Sequence, residues 1–190
     1  MNVRVAGLVL AGLLVAVSGC AAGPPRATAL GDAELNHGYA LLWATVTDLT
    51  RVEQVLWVKR PSDEVAVLLR AISAFAREAQ GELEALARAD ARLGYDADGL
   101  PQVETAAREA LERSSRRRIL GSSGKAFELQ ILLTQRQALD YVSHVARVLG
   151  EREADETRRA YLAELEDRSG ALYGRVVGHL ERGYGGSGSD

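Results

Sequence analysis

One thiol, three imidazoles and 26 carboxylates are the groups in this 190-residue chain that could do chemistry. Glu34 and His37 stand three residues apart, a spacing that puts carboxylate and imidazole on one face of a helix. Di-iron carboxylate bundles use two such Glu-x-x-His pairs and two further Glu. Here there is one pair, because Tyr141 and Val176 hold the places three residues before His144 and His179. The expected reading is an exposed first-turn acid beside a surface imidazole. Glu53 is the more informative acid, since it interrupts an apolar seam. A buried carboxylate must be paired or protonated, so a core contact with His179 or with an arginine is its chemical reading. The plainer expectation is a carboxylate near a helix end that reaches solvent. Arg113, Arg116, Arg117 and Arg118 form a basic cluster able to meet anionic lipid headgroups. Glu104, Glu109 and Glu112 share that segment, which makes an internally paired, solvated face the default. Asp96-Ala97-Asp98-Gly99 reads as a turn, since a calcium loop of the EF-hand type needs its Gly at the sixth place. With no Ser/His/Asp order, phosphate loop or catalytic carboxylate pair, the sequence leads us to expect no catalytic residue, no metal ligand set and no cofactor.

Composition narrows the classes further. A single Cys excludes an internal disulfide framework, a Cys-rich zinc site and an iron–sulfur cluster. Residues 1–19 hold 13 apolar side chains and one charge, Arg4. Beyond them stand 22 basic and 26 acidic groups, a balance with no basic face for nucleic acid. Val5 to Val17 is apolar apart from Gly7 and Gly12, and as a helix it would span about 20 Å, short of the roughly 30 Å hydrocarbon core. A positive start, a short apolar run and small residues after it make a secretory signal peptide. Its end, Val17-Ser18-Gly19-Cys20, resembles the lipobox of bacterial lipoproteins. That resemblance implies lipid transfer to the Cys20 thiol, cleavage between Gly19 and Cys20, and acylation of the new N-terminus. Held by several acyl chains, the protein would sit on a membrane without spanning it. Ala21 in place of Asp favours the outer membrane, facing the periplasm, in a Gram-negative source. Residues 20–31 contain Gly23-Pro24-Pro25 and read as an extended, flexible tether of about 30 Å.

The remainder must position whatever does the work, and it reads as helices. Leu35, Tyr39, Leu42, Val46, Leu49 and Leu56 recur in alternating four- and three-residue steps, so one helix is expected over 33–59, with Glu53 in the missing seam place. Pro61 breaks it and Ser62 is placed to cap a second helix running to about 91, with Val65, Leu68, Ile72, Phe75, Ala79, Leu83 and Leu86 inward. A shorter helix is expected from Pro101 to about Leu120. A fourth covers about 125–149, with Phe127, Ile131, Thr134, Ala138, Tyr141, Val145 and Val148 on its inner stripe. The last spans about 155–182, with Leu162, Leu165, Leu172 and Val176 inward. Gly170, Gly174 and Gly178 recur every four residues and suggest either a close crossing or a looser helix. Residues 183–190 read as a disordered tail. The expected fold is all-α: an up-and-down bundle of four long helices plus one short helix over 32–182.

This layout resembles the ferritin-like four-helix bundles of exported bacterial proteins. The resemblance rests on Ser62-Asp63-Glu64-Val65, on Leu83-Glu84-Ala85-Leu86-Ala87, and on Phe127-Glu128 followed by Gln135. It covers about residues 62–180, and Leu139 stands where such sequences often carry a His. Three function classes follow: a non-enzymatic binding or scaffold module with a protein partner in the envelope, a ferritin-like metal-binding core, and an envelope-lipid binder using the Arg113–Arg118 face. The first is the expectation.

Overall fold

The computed structural model describes residues 31–93 and 102–184. Among them every regular element is helical: α1 (Asp32–Thr50), a 3-10 segment (Val52–Trp57), α2 (Asp63–Ala89), α3 (Gln102–Gly121), α4 (Gly124–Gly150) and α5 (Glu156–Tyr184). Residues 1–30, the Asp96–Gly99 turn, Pro101 and residues 185–190 lie outside the described part.

Amphipathic stripes explain most of the packing. Leu35, Tyr39, Leu42, Val46 and Leu49 of α1 are buried as the seam requires. So are Val65, Leu68, Ile72, Phe75, Ala79 and Leu83 of α2, and Leu162, Leu165, Leu172 and Val176 of α5. They join one core with Leu132, Leu139, Val142 and Leu149 of α4. α1 packs on α2 and α4, α4 on α5, and α5 on α2. Side chains give the directions. Leu149, near the end of α4, lies against Gly38, early in α1. Arg168 of α5 pairs with Glu78 of α2, and His179 further along α5 lies by Glu64, earlier in α2. Tyr184 at the end of α5 donates to the Lys125 carbonyl at the start of α4, 3.0 Å away. Anchored there, α5 continues two residues beyond the expected end at 182.

Three expectations need correction. The helix expected over 33–59 stops at Thr50 and tightens into the 3-10 segment. The Ser73 hydroxyl of α2 donates to the Thr50 carbonyl at 2.6 Å, and the Gln54 N–H turns instead to Arg51, one residue closer than an α-helix allows. Leu56 is consequently only partly buried. The inner stripe of α4 begins as expected with Phe127 and Ile131 and then shifts by one residue: Leu132, Gln135, Leu139, Val142, Ala146 and Leu149 face the core, whereas Tyr141 and Val148 are exposed. Two apolar stripes lie side by side on α4, and the Thr134–Ala138–Val145 stripe only flanks the core. Ser62 sits at the N-cap of α2 without a side-chain cap bond; its carbonyl accepts from the Ala66 N–H at 2.9 Å and its own N–H donates to Glu128 at 2.5 Å.

α3 is an outer helix with no buried residue. Arg108 ties it to α1, donating to Thr45 at 3.1 Å beside Asp48 at 3.5 Å. Burial pushes the Asp48 carboxyl up and Arg108 opposes it. Among the described residues no helix is long and apolar enough to cross a membrane.

The α5 glycines are not a close crossing: a Cβ at Gly174 meets nothing, and one at Gly170 stays 4.0 Å from Ser143. Mid-helix Gly81 in α2 is likewise open. Gly81→Ala and Gly174→Ala are therefore each expected to stabilise the fold by about 1 kcal/mol, read as a rise of about 2–4 °C in Tm. A fall would mean that one of these faces is covered.

Candidate functional site

The most developed polar site lies where the start of α1, the end of α2 and the α4–α5 turn meet. Asp155 caps α5, accepting from the Arg158 N–H at 2.9 Å. That turn folds the Glu153 side chain inward until 1% of it is exposed. One carboxylate oxygen accepts from the Asp155 N–H (2.9 Å) and Arg158 Nη2 (2.8 Å). The other accepts from Arg158 Nε (3.0 Å) and the Tyr39 hydroxyl (3.1 Å). The pairing is bidentate, the strongest form of arginine–carboxylate contact. Arg158, itself 9% exposed, reaches on to Asp90 at the C-cap of α2 with Nη1 at 2.6 Å. Arg92 grips the same Asp90 and lies 3.7 Å from Asp32 at the start of α1.

Electrostatics keep this cluster ionised. Burial pushes the Glu153 carboxyl up, but the Arg158 fork, the Asp155 N–H and the Tyr39 hydroxyl together outweigh it and hold it below the usual range. Hydrogen bonds from Arg92 hold Asp90 far lower still. Arg158 is driven above its ordinary value, chiefly by its bonds to Glu153. With four donors on Glu153, the arrangement acts as a clasp that fastens three helices and a turn. Tyr39 was legible as a seam residue, and a buried tyrosine hydroxyl always needs a partner. Its acceptor, 114 residues away, was not legible.

The residues singled out from sequence fall elsewhere. Glu53 lies on the 3-10 segment, half-buried, with Arg77 Nη1 of α2 at 2.6 Å. The same guanidinium donates to the Ser73 hydroxyl at 2.8 Å, so Glu53 completes the junction that ends α1. His179 on α5 lies 3.4 Å from Glu64 of α2. Glu53 and His179 are thus held by different partners and do not form one site. Glu34 accepts from the Gly31 N–H at 3.4 Å, an end-capping bond, and His37 is exposed. On α3, Arg113 pairs with Glu109 at 3.3 Å and Arg116 with Glu112, while Arg118 bonds the Ser114 and Ser115 hydroxyls. Arg117 is exposed. Gly19 and Cys20 lie outside the described residues, and among the described ones no three His, Cys, Asp or Glu are grouped to hold a metal ion.

Among the described residues, Gln135 and Thr47 each bury a side-chain oxygen without a hydrogen-bond partner, and Gln135 lies in the core. It is 5% exposed and its carbonyl oxygen has no hydrogen-bond partner. A buried, unmade hydrogen bond costs about 1–3 kcal/mol. Gln135→Met is therefore expected to raise stability by about 1 kcal/mol or more in urea unfolding, and a loss would show that the amide is engaged. No family model, no curated protein and no solved structure matches the chain.

Proposed function

We propose that this chain is a membrane-anchored bacterial envelope lipoprotein whose helical domain is a non-enzymatic binding or scaffold module. The observation that carries the reading is the apolar run ending at Val17-Ser18-Gly19-Cys20, followed by a Pro-containing stretch and then by a folded domain from Asp32. Cys20 takes the lipid, Gly19–Cys20 is the cleaved bond, and residues 21–31 hold the domain off the headgroups. In a Gram-negative source this places it on the outer membrane, facing the periplasm. The contacts of α1 with α2 and α4, and of α5 with both α2 and α4, leave α2 and α4 parallel on one diagonal, which supports reading the domain as a ferritin-like four-helix bundle with α3 in the crossover between them rather than the expected up-and-down order. Engagement of the core acids by arginines, Glu153 with Arg158 and Glu53 with Arg77, supports a structural use of those charges.

The test is Cys20→Ala in the native host with labelled fatty acid. The native chain incorporates label and leaves the membrane only with detergent. The variant incorporates none and keeps residues 1–19. Equal labelling, or identical cleavage in the variant, would overturn the proposal.

A further inference from the structure

The end of the molecule farthest from Gly31 carries apolar side chains without cover. Trp57 is 80% exposed and Val58 68%, both at the close of the 3-10 segment. Lys59 fixes this strand of chain in place. Its ammonium donates to the carbonyls of Leu120 (2.8 Å) and Ser122 (2.7 Å) and lies 5.8 Å from the Phe127 ring centre. That contact brings the C-terminal end of α3, where Leu120 is 47% exposed, to the same tip as Trp57 and Val58. Arg117 stands one turn before Leu120 on the same side of α3, and Arg60 directly follows Lys59. Both are exposed, and neither has a carboxylate partner among the described residues. Arg118 adds a third cation bonded only to serines. Among the described residues four acids belong to this end, Asp63, Glu64, Glu128 and Glu181, against six cations, Lys59, Arg60, Arg117, Arg118, Lys125 and Arg182; Glu128 accepts from the Ser62 N–H and Glu64 faces His179. Asp63 lies in the first turn of α2, where the helix's positive end offsets it.

An exposed tryptophan flanked by valine and leucine, ringed by unneutralised arginines, matches an anionic bilayer surface. The indole and aliphatic groups suit the headgroup level and the guanidinium groups suit the phosphates. We propose that this tip, built from Trp57, Val58, Leu120, Arg60 and Arg117, docks on an anionic lipid surface. The site goes beyond the Arg113–Arg118 face, since Arg113 and Arg116 are spent on Glu109 and Glu112. α2 is 27 residues long and so separates the tip from the Asp90 end by about 40 Å. If the lipoprotein reading holds, the chain is anchored in one bilayer at its N-terminal end and presents the tip to a second.

The experiment uses the full chain with Trp43→Phe, which leaves Trp57 as the fluorophore. It is reconstituted in neutral phosphatidylcholine vesicles and then mixed with vesicles of brominated phosphatidylglycerol. Trp57 fluorescence is expected to be quenched by the anionic vesicles, to be spared by brominated neutral ones, and to recover in high salt. Arg60→Gln with Arg117→Gln should weaken vesicle binding by about 30-fold, the worth of two surface cations. Trp57 reports only the tip, so lipid contact by residues 1–19 does not produce the signal. Failure of the anchor reading shows separately, as protein missing from the first vesicles. Absent quenching, equal quenching by neutral lipid, or indifference to the two substitutions would overturn the proposal. So would concentration-dependent burial of Trp57 without lipid, which would assign the tip to a second copy.

Discussion

Replacing Arg158 with methionine is expected to cost the fold about 3–5 kcal/mol, the penalty for leaving a buried carboxylate without its partner. Glu153 would keep the Asp155 N–H and the Tyr39 hydroxyl but lose both arms of the guanidinium. Removing both charges is a different matter. Arg158→Met with Glu153→Leu leaves no orphan ion, so it should recover a large part of the loss, as apolar replacements of buried ion pairs often do. Urea unfolding at pH 7 measures both. The pH dependence has a defined sign. In the native chain Glu153 has a folded pKa below its unfolded value of about 4.3. Its contribution is therefore complete above that value and is lost as the pH falls through the lowered one. Stability should be level from pH 7 to 5 on this account and fall below about 4. In Arg158→Met the burial that pushes this carboxyl up loses its main opponent. The gap between variant and native chain should accordingly narrow as the pH is lowered from 7 to 4. A constant gap would mean that Glu153 is hydrated and the clasp open.

Leu139→Ala is expected to cost about 2–5 kcal/mol, since the side chain is wholly buried in the one core cluster to which α1, α2, α4 and α5 contribute. Leu139→His tests the proposed ferritin-like resemblance more sharply, because it introduces the residue type that such sequences often carry at that place. The imidazole enters a packed core whose polar group on the same stripe is Gln135, one turn earlier, and one bond to its carbonyl oxygen does not repay the lost packing, so the cost should be about that of alanine. The loss should deepen below about pH 6.5, because the unfolded chain takes a proton that the buried imidazole resists. A His variant as stable as the native chain, or one gaining stability in acid, would mean that position 139 opens onto polar partners.

How far the sequence could be read depended on how many stripes each helix carries. α1, α2 and α5 each have one dominant apolar stripe, and its central residues are legible one by one, whereas Leu56 and Leu86 at the stripe ends are only partly buried. α4 has two that begin together at Phe127 and Ile131, and the polar Gln135 masks the one that continues inward; only the packing of Leu139 and Val142 against the core decides between them. The break at Thr50 depends on a hydroxyl 23 residues away, which no local period records. The same is true of the clasp. Glu153 and Arg158 are five residues apart across a turn, but Tyr39 and Asp90 reach them only through the tertiary fold. Glu53 was read correctly as an acid close to a helix end, and its arginine partner was one of two alternatives; His179 was the other, and it is taken by Glu64. The polar character of α3 was visible in its alternating Arg and Glu, whereas its attachment through Arg108 and Lys59 was not.

The central claim is that a folded helical domain is held on a membrane through Cys20. The most direct measurement is the mass of the N-terminal peptide of the chain purified from native membranes. The account predicts a peptide beginning at Cys20 that carries thioether-linked diacylglycerol, with or without a further N-acyl chain. An unmodified peptide beginning at any other residue, or an intact Met1 terminus, would contradict it.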